Sequence, residues 1–300
     1  MKKLDQIISK EKLKRTDDEM AKNLGYIIKD GYGWAGGPFM GLGECATKYA
    51  LYHWYNEQNL AVAKQWFYVA AKCIAISATK PVGNEKFWAL HPFMFPLLSD
   101  NLEMIKVYST IETPNLLERR NDLKNNEFDI SLVQTALQGD DTKLASMINT
   151  YKAKNYKNQS KFKIAVIQFM EGLLTSDIAE MEAAIALLSK WQLSNPTTED
   201  FLSDYAVVLC KLAWIRGCEV QVDSPLVPMA FMPIASLPHY DDVYEFLKPD
   251  WVAPPAPSTE EQEEINRKKH EEAKKANLEL VKKLNENKKT TSFLGRLFGK

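Results

Sequence analysis

ECATKYALYHWYNEQNLAVAKQWFYVAAKCIAIS, residues 44–77, decides the fold class. Apolar side chains recur at three- and four-residue intervals through Trp54, the polar NEQN at 56–59 interrupts them, and the same period resumes at Leu60. In the second half Ala63, Trp66, Phe67, Ala70 and Cys73 or Ile74 share one broad face. The spacing predicts a helical hairpin over 44–54 and 60–77, with a face that another helix must cover.

The motif repeats downstream. ISLVQTALQGDDTKLASMINTYKA (130–153) predicts a helix to Gln138 and a second helix opened by Asp140 or Asp141. An aspartate there accepts hydrogen bonds from the free first-turn amides, and Gly139 tolerates the left-handed backbone that ends the preceding helix. KFKIAVIQFMEGLLTSDIAEMEAAIALLSKW (161–191) repeats the design, with Thr175, Ser176 and Asp177 at its turn. TTEDFLSDYAVVLCKLAWIRG (197–217) reads as one more helix, capped by Thr197 or Thr198 with Glu199 and Asp200 in its first turn. Antiparallel pairs without a strict repeat length predict an all-α bundle or a short tetratricopeptide-like solenoid.

Composition narrows the function. A chain of 300 residues, 45% hydrophobic, buries an ordinary core. Its 38 basic and 39 acidic residues leave a net charge of -1, and bases and acids interleave, so no field gathers nucleic acid or an anionic membrane. MKKLDQIISKEKLKRTDDEM lacks an apolar secretory core and no run reaches the ~20 apolar residues of a membrane span, so a cytoplasmic protein without integral membrane association is expected. Cys45, Cys73, Cys210 and Cys218 lack metal or redox spacing and read as reduced, buried side chains.

Sites of chemistry are sparse. GYGWAG (31–36) has the letters of a dinucleotide fingerprint, but a helical lead-in and a following GPFMGLG that reads as another loop withhold the strand and helix it needs. Its reading is a glycine-rich connection that lets Trp34 and Phe39 tuck beneath helices. His53, His91, His239 and His270 form no metal signature, and His91 beside Pro92 reads as a packed, hydrogen-bonded side chain. The pairs Asp140–Asp141 and Asp241–Asp242 read as helix caps. No cofactor and no catalytic residue are assigned.

Residues 253–300 differ in character. APPAPST (253–259) is a proline-rich linker, 260–289 a charged helix with Glu264 and Lys268 or Glu271 and Lys275 at stabilising spacing, and 290–300 a short amphipathic tail able to touch a surface or a partner. The expected helical domain is 1–252.

Between the last hairpin and that linker runs RGCEVQVDSPLVPMAFMP (216–233). Its prolines fix their own φ and push the preceding residues into extended geometry, which predicts a stiff strap. Val220, Val222, Leu226, Val227, Met229, Phe231 and Met232 should pack on helices while Glu219, Asp223 and Ser224 point outward. CEVQV is too short for a sheet, leaving a strap or one pairing with another short segment.

A helix ending Trp-x-Arg-Gly, followed by E-V-x-V-D-S-P-L-V-P, resembles the immunity protein 49 family of bacterial polymorphic toxin systems. WYNEQNLAVAKQWFYVAAKC and ALQGDDTKLASMI are similar to that family's earlier helices, and the likeness spans roughly residues 20–252. It implies a helical protein that binds and neutralises a cognate toxin; the lack of catalytic signatures fits a non-enzymatic role, the lack of an export signal a toxin acting in the cytosol, and the net charge of -4 over residues 1–252 a basic one such as a nuclease. Arg216, Gly217, Glu219, Asp223, Pro225 and Pro228 match the motif; Arg216, Glu219, Asp223, Pro225 and Pro228 together with Asp241 and Asp242 form the expected partner-binding set. A helical-repeat adaptor or chaperone-like module is the alternative. An enzyme built around Trp34, His91 and distant acids is the third.

Overall fold

A computed structural model describes residues 10–28, 31–87, 89–154, 160–190, 197–198, 200–252 and scattered positions between 255 and 275. The chain divides into two compact units, Met1–Pro254 and Pro255–Lys300. In the second, the described residues include helical positions with Glu264 bonded to Arg267 (2.7 Å) and near Lys268 (3.5 Å). The amphipathic run 290–300 lies outside the described residues, as do most of 253–259 and all of 276–289.

The secondary structure of the first unit is built from helices, in order α1 Lys10–Ile28, α2 Gly37–Tyr55, α3 Leu60–Ala78, α4 His91–Ser99, α5 Leu102–Thr110, α6 Pro114–Arg119, α7 Asn126–Leu137, α8 Asp141–Ala153, α9 Lys161–Thr175, α10 Ile178–Leu188 and α11 Asp204–Ile215. The α2–α3 hairpin forms where periodicity places it. Asn59 caps α3 by accepting from the Val62 amide (3.1 Å), and Ala63, Phe67, Ala70, Cys73 and Ile74 are all buried.

GPFMGLG is not a loop but the first two turns of α2. Pro38 sits in the first turn, where a missing amide costs nothing. The later glycines permit close packing: a Cβ on Gly43 would stand 2.9 Å from the Ile74 side chain on α3. Two glycines in one helix thus report helix contact and not a break. GYGWAG forms a short 3-10 turn, Tyr32–Trp34, followed by a single bridge between Ala35 and Val82. A Cβ on Gly36 would lie 2.7 Å from both the Asn84 Cα and the Gly83 carbonyl, so this glycine serves a backbone seam.

The centre of the core is α3, α4 and α11. In α4 Pro92 through Ser99 are buried, and in α11 Asp204 through Ala213 are, so both helices are enclosed on all sides. α11 starts at Asp204, later than the TTED signal suggests, because Ser203 is its N-cap and Thr197, Thr198, Asp200 and Phe201 lie in turns. Thr198 donates to the Asp204 carboxylate (3.2 Å) rather than capping a helix of its own; Glu199 lies outside the described residues.

Three turns close as their residues dictate. Asp140 accepts from the Lys143 amide (2.9 Å) and Asp177 from the Glu180 amide (3.0 Å), each capping the second helix of a pair. Gly139 (φ 72°) and Gly217 (φ 81°) each carry the left-handed residue of a six-to-one helix end. The Asp140 amide reaches the Thr135 carbonyl (3.2 Å) and the Cys218 amide the Ala213 carbonyl (2.8 Å).

Beyond Gly217 the chain crosses the helices without forming another α-helix. Residues 218–252 contain two 3-10 turns, Met229–Phe231 and Glu245–Leu247, and the rest is extended or bent. Among the described residues, 218–222 pair with no strand. The four cysteines are free thiols, all buried. Burial raises the Cys45 thiol to about 11 and the Cys210 thiol to about 12.

Candidate functional site

Burial alternates along the first part of the crossing segment. Cys218, Val220 and Val222 face inward and Glu219, Gln221 and Asp223 outward, the period-two pattern of extended backbone. Pro225 is exposed, Leu226 and Pro228 half-buried, Val227 buried. The helices hold this arm through backbone groups. The Trp214 indole donates to the Val220 carbonyl (3.0 Å), the Gln221 amide to Glu182 of α10 (2.7 Å), and the amide of Ser203, the N-cap of α11, to the Leu226 carbonyl (2.9 Å).

Arg216 does not project as a free contact residue. Its guanidinium reaches both Asp141 oxygens (2.7 and 3.0 Å) and donates to the Ala136 carbonyl (3.0 Å). Ala136 is in the last turn of α7 and Asp141 the first residue of α8, so one fork joins the ALQGDD turn to the end of α11. Both sequence motifs therefore converge on one spot, and the arginine positions the arm's root.

The second half of the arm is fixed by a buried ionic cluster that no sequence pattern announces. Asp100, which ends α4 with φ 58°, pairs with Lys64 of α3 (2.6 Å) and with Lys211 of α11. Asp100 and Lys211 are fully enclosed and Lys64 is 2% exposed. Lys211 also donates to the carbonyls of Phe231, Met232 and Pro233 (2.6, 3.1 and 3.3 Å), and Lys64 to that of Ala235 (2.8 Å). Burial pushes the Lys211 ammonium below its ordinary range, against the pull of Asp100. The Phe231 ring closes the cluster, edge-on to Trp54 (4.9 Å) and Phe67 (5.7 Å).

Asp241 and Asp242 open no helix; they lie in extended chain, held by α3. Gln65 exchanges two bonds with the Asp241 backbone (2.8 and 3.0 Å), as a strand neighbour would, and the Asp241 carboxylate is exposed beside His239 (2.9 Å). Asp242 is half-buried and accepts from Tyr68 and Lys72, both at 2.7 Å. The candidate set thus splits. Glu219, Asp223, Pro225 and Asp241 face solvent, whereas Arg216 and Asp242 serve internal contacts. Glu219, Asp223 and Pro225 ride on the stretch that α10 and α11 hold, Asp241 on the stretch held by α3.

Charge follows the arm. Residues 216–252 hold six acids (Glu219, Asp223, Asp241, Asp242, Glu245, Asp250) and two bases (Arg216, Lys248), an excess of four that equals the excess over all of 1–252. The helices before it are electrically balanced.

His91 is packed as expected, its Nδ1 2.9 Å from Asp204 and its ring edge-on to Phe95. No group of three or more potential metal ligands converges among the described residues, and no helix there is long and apolar enough to cross a membrane.

Residues 89–231 match the family model of Immunity protein 49, which bears out the resemblance carried by the Trp-x-Arg-Gly motif and the ALQGDD turn. The matched stretch begins just before α4 and ends at Phe231. No curated protein and no solved structure matches the chain.

Proposed function

With residues 89–231 in the Immunity protein 49 family, we propose that the chain protects its cell by binding a cognate toxin one-to-one and occluding it. The carrying observation is that family match over a tightly packed helical unit whose acidic excess lies on one arm. The arm is rigid before any partner arrives, so binding orders little new chain and sacrifices little entropy. Its outward carboxylates, Glu219, Asp223 and Asp241, favour a toxin with a basic face, the surface a nuclease needs to hold phosphate.

The test is co-expression with the toxin encoded beside this chain, scoring survival and one-to-one co-purification. The wild type should rescue growth. Replacing Glu219 and Asp223 together by Lys should slow association by about tenfold or more at low salt while the fold keeps its melting temperature. No rescue and no complex with the wild type would end the reading. Full rescue by the double variant, with unchanged association, would remove the arm from the interface.

A further inference from the structure

A concavity of about 540 Å³ lies between the end of α5, the loop after α6, and α7 and α8. It lies wholly within residues 89–231. On α7 and its C-cap Ser131, Thr135 and Gln138 recur at helical spacing, and on α8 Lys143, Ser146 and Thr150 do the same, so two helices each turn a polar rib into one groove. The wall is braced by amides. Gln134 Nε2 donates to the Tyr108 and Ile111 carbonyls (3.0 and 2.8 Å) and Gln138 Nε2 to that of Ser109 (2.5 Å), tying α5 to α7. The amide oxygens of both glutamines accept no bond among the described residues.

The cations at this groove differ. Arg120 is neutralised by Glu112 (2.7 Å), whereas the exposed Lys143 ammonium has no anionic partner among the described residues. Phe128 and Leu123 contribute little open apolar surface, being 3% and 7% exposed. Half-buried Met147 adds apolar surface, but it lies among polar groups on both helices, which a purely apolar ligand would leave unpaired. Extended polypeptide, by contrast, offers alternating N–H and C=O groups that hydroxyls and amides can meet with little regard to sequence.

We propose that this groove seats an extended segment of the toxin, with a carboxylate of that segment on Lys143. The inference rests on the immunity reading and assigns it a second contact. The groove and the arm adjoin at one turn, because Gln138 lines the groove while Asp141, three residues on, holds Arg216. One partner can therefore cover both.

The test uses the full chain and the toxin that co-purifies with it. Lys143→Glu should weaken the complex about tenfold, and Ser146→Arg with Thr150→Tyr, both exposed positions that fill the groove, by about tenfold or more. Melting temperatures should stay at the wild-type value. On an array of overlapping toxin peptides, the wild type should retain an acidic segment that Lys143→Glu releases. Wild-type affinity in both groove variants, with normal folding, overturns the groove and leaves the immunity reading standing. A wild-type chain that neither protects nor binds overturns both.

Discussion

Replacing Asp100 by Asn probes the cluster that fixes the arm. Asparagine keeps the volume and tolerates the left-handed φ of 58°, and the Asp100 backbone carbonyl can still accept from Ser236 (2.7 Å). What goes is the one negative charge between two enclosed lysines. Removing one partner of a buried ion pair costs about 3–5 kcal/mol, because the remaining charge stays desolvated. Against a total stability of about 5–15 kcal/mol that is a large fraction. At about 2–4 °C per kcal/mol for a unit of this size, melting should fall by about 6–20 °C. Chymotrypsin should then cut at Phe231 or Tyr240 well before the core opens, since the carbonyls of 231–233 and 235 are held by the lysines this carboxylate positions. Asp241→Asn, at an exposed carboxylate in the same segment, is the control and should move stability by no more than about 0.5 kcal/mol. An Asp100→Asn protein that melts with the control and resists chymotrypsin equally would refute the cluster as the arm's anchor. Apolar replacement of the whole triad should not rescue it. Buried ion clusters often tolerate such exchange, but here Lys211 also satisfies three carbonyls, and each one stranded costs about 1–3 kcal/mol.

Four further outcomes are expected. Because Lys211 titrates lower folded than unfolded, the unfolded chain binds more protons between those two values; stability should rise with pH through that window, and Lys211→Met should flatten the rise in pH-dependent urea unfolding. Gly36→Ala should cost about 1–3 kcal/mol in the same assay, because its methyl meets backbone on both Gly83 and Asn84. Arg216→Lys, which cannot reproduce the fork on Asp141 and the Ala136 carbonyl together, should cost about 1 kcal/mol, the modest value fitting the half-exposed Asp141. At pH 8 a thiol reagent should leave the folded chain unmodified and label all four cysteines on unfolding, since Cys45 and Cys210 titrate near 11 and 12 and burial raises Cys73 as well.

What could be read in the sequence was local. Asn59 before α3, Gly139 and Asp140 between α7 and α8, and Ser176 with Asp177 between α9 and α10 are chemical signals within a few residues of the event they cause. Failures came where a local signal served a distant contact. Gly41 and Gly43 look like loop glycines until α1 and α3 lie against them, and the TTED acids look like a first turn until Ser203 takes that place with help from Leu226. In α4 Pro92 and Pro96 disguise a helix that burial on every side sustains. In the candidate site, outward Glu219 and Asp223 follow from alternation alone. The internal tasks of Arg216 and Asp242 do not, because their partners lie on other helices. Asp100, Lys64 and Lys211 come from three separate elements and share no spacing rule, and the groove is equally invisible in any single stretch.

The buried lysine pair has a consequence for anyone trimming the molecule. Residues 89–231 look like an excisable module, yet cutting there would delete Lys64, Trp54 and Phe67 from one side and Pro233 and Ala235 from the other. A fragment with those borders would carry Asp100 and Lys211 with a wall missing and a raw aromatic surface, and should precipitate. The unit that an engineer can move or fuse intact is larger than the stretch that matches the family model.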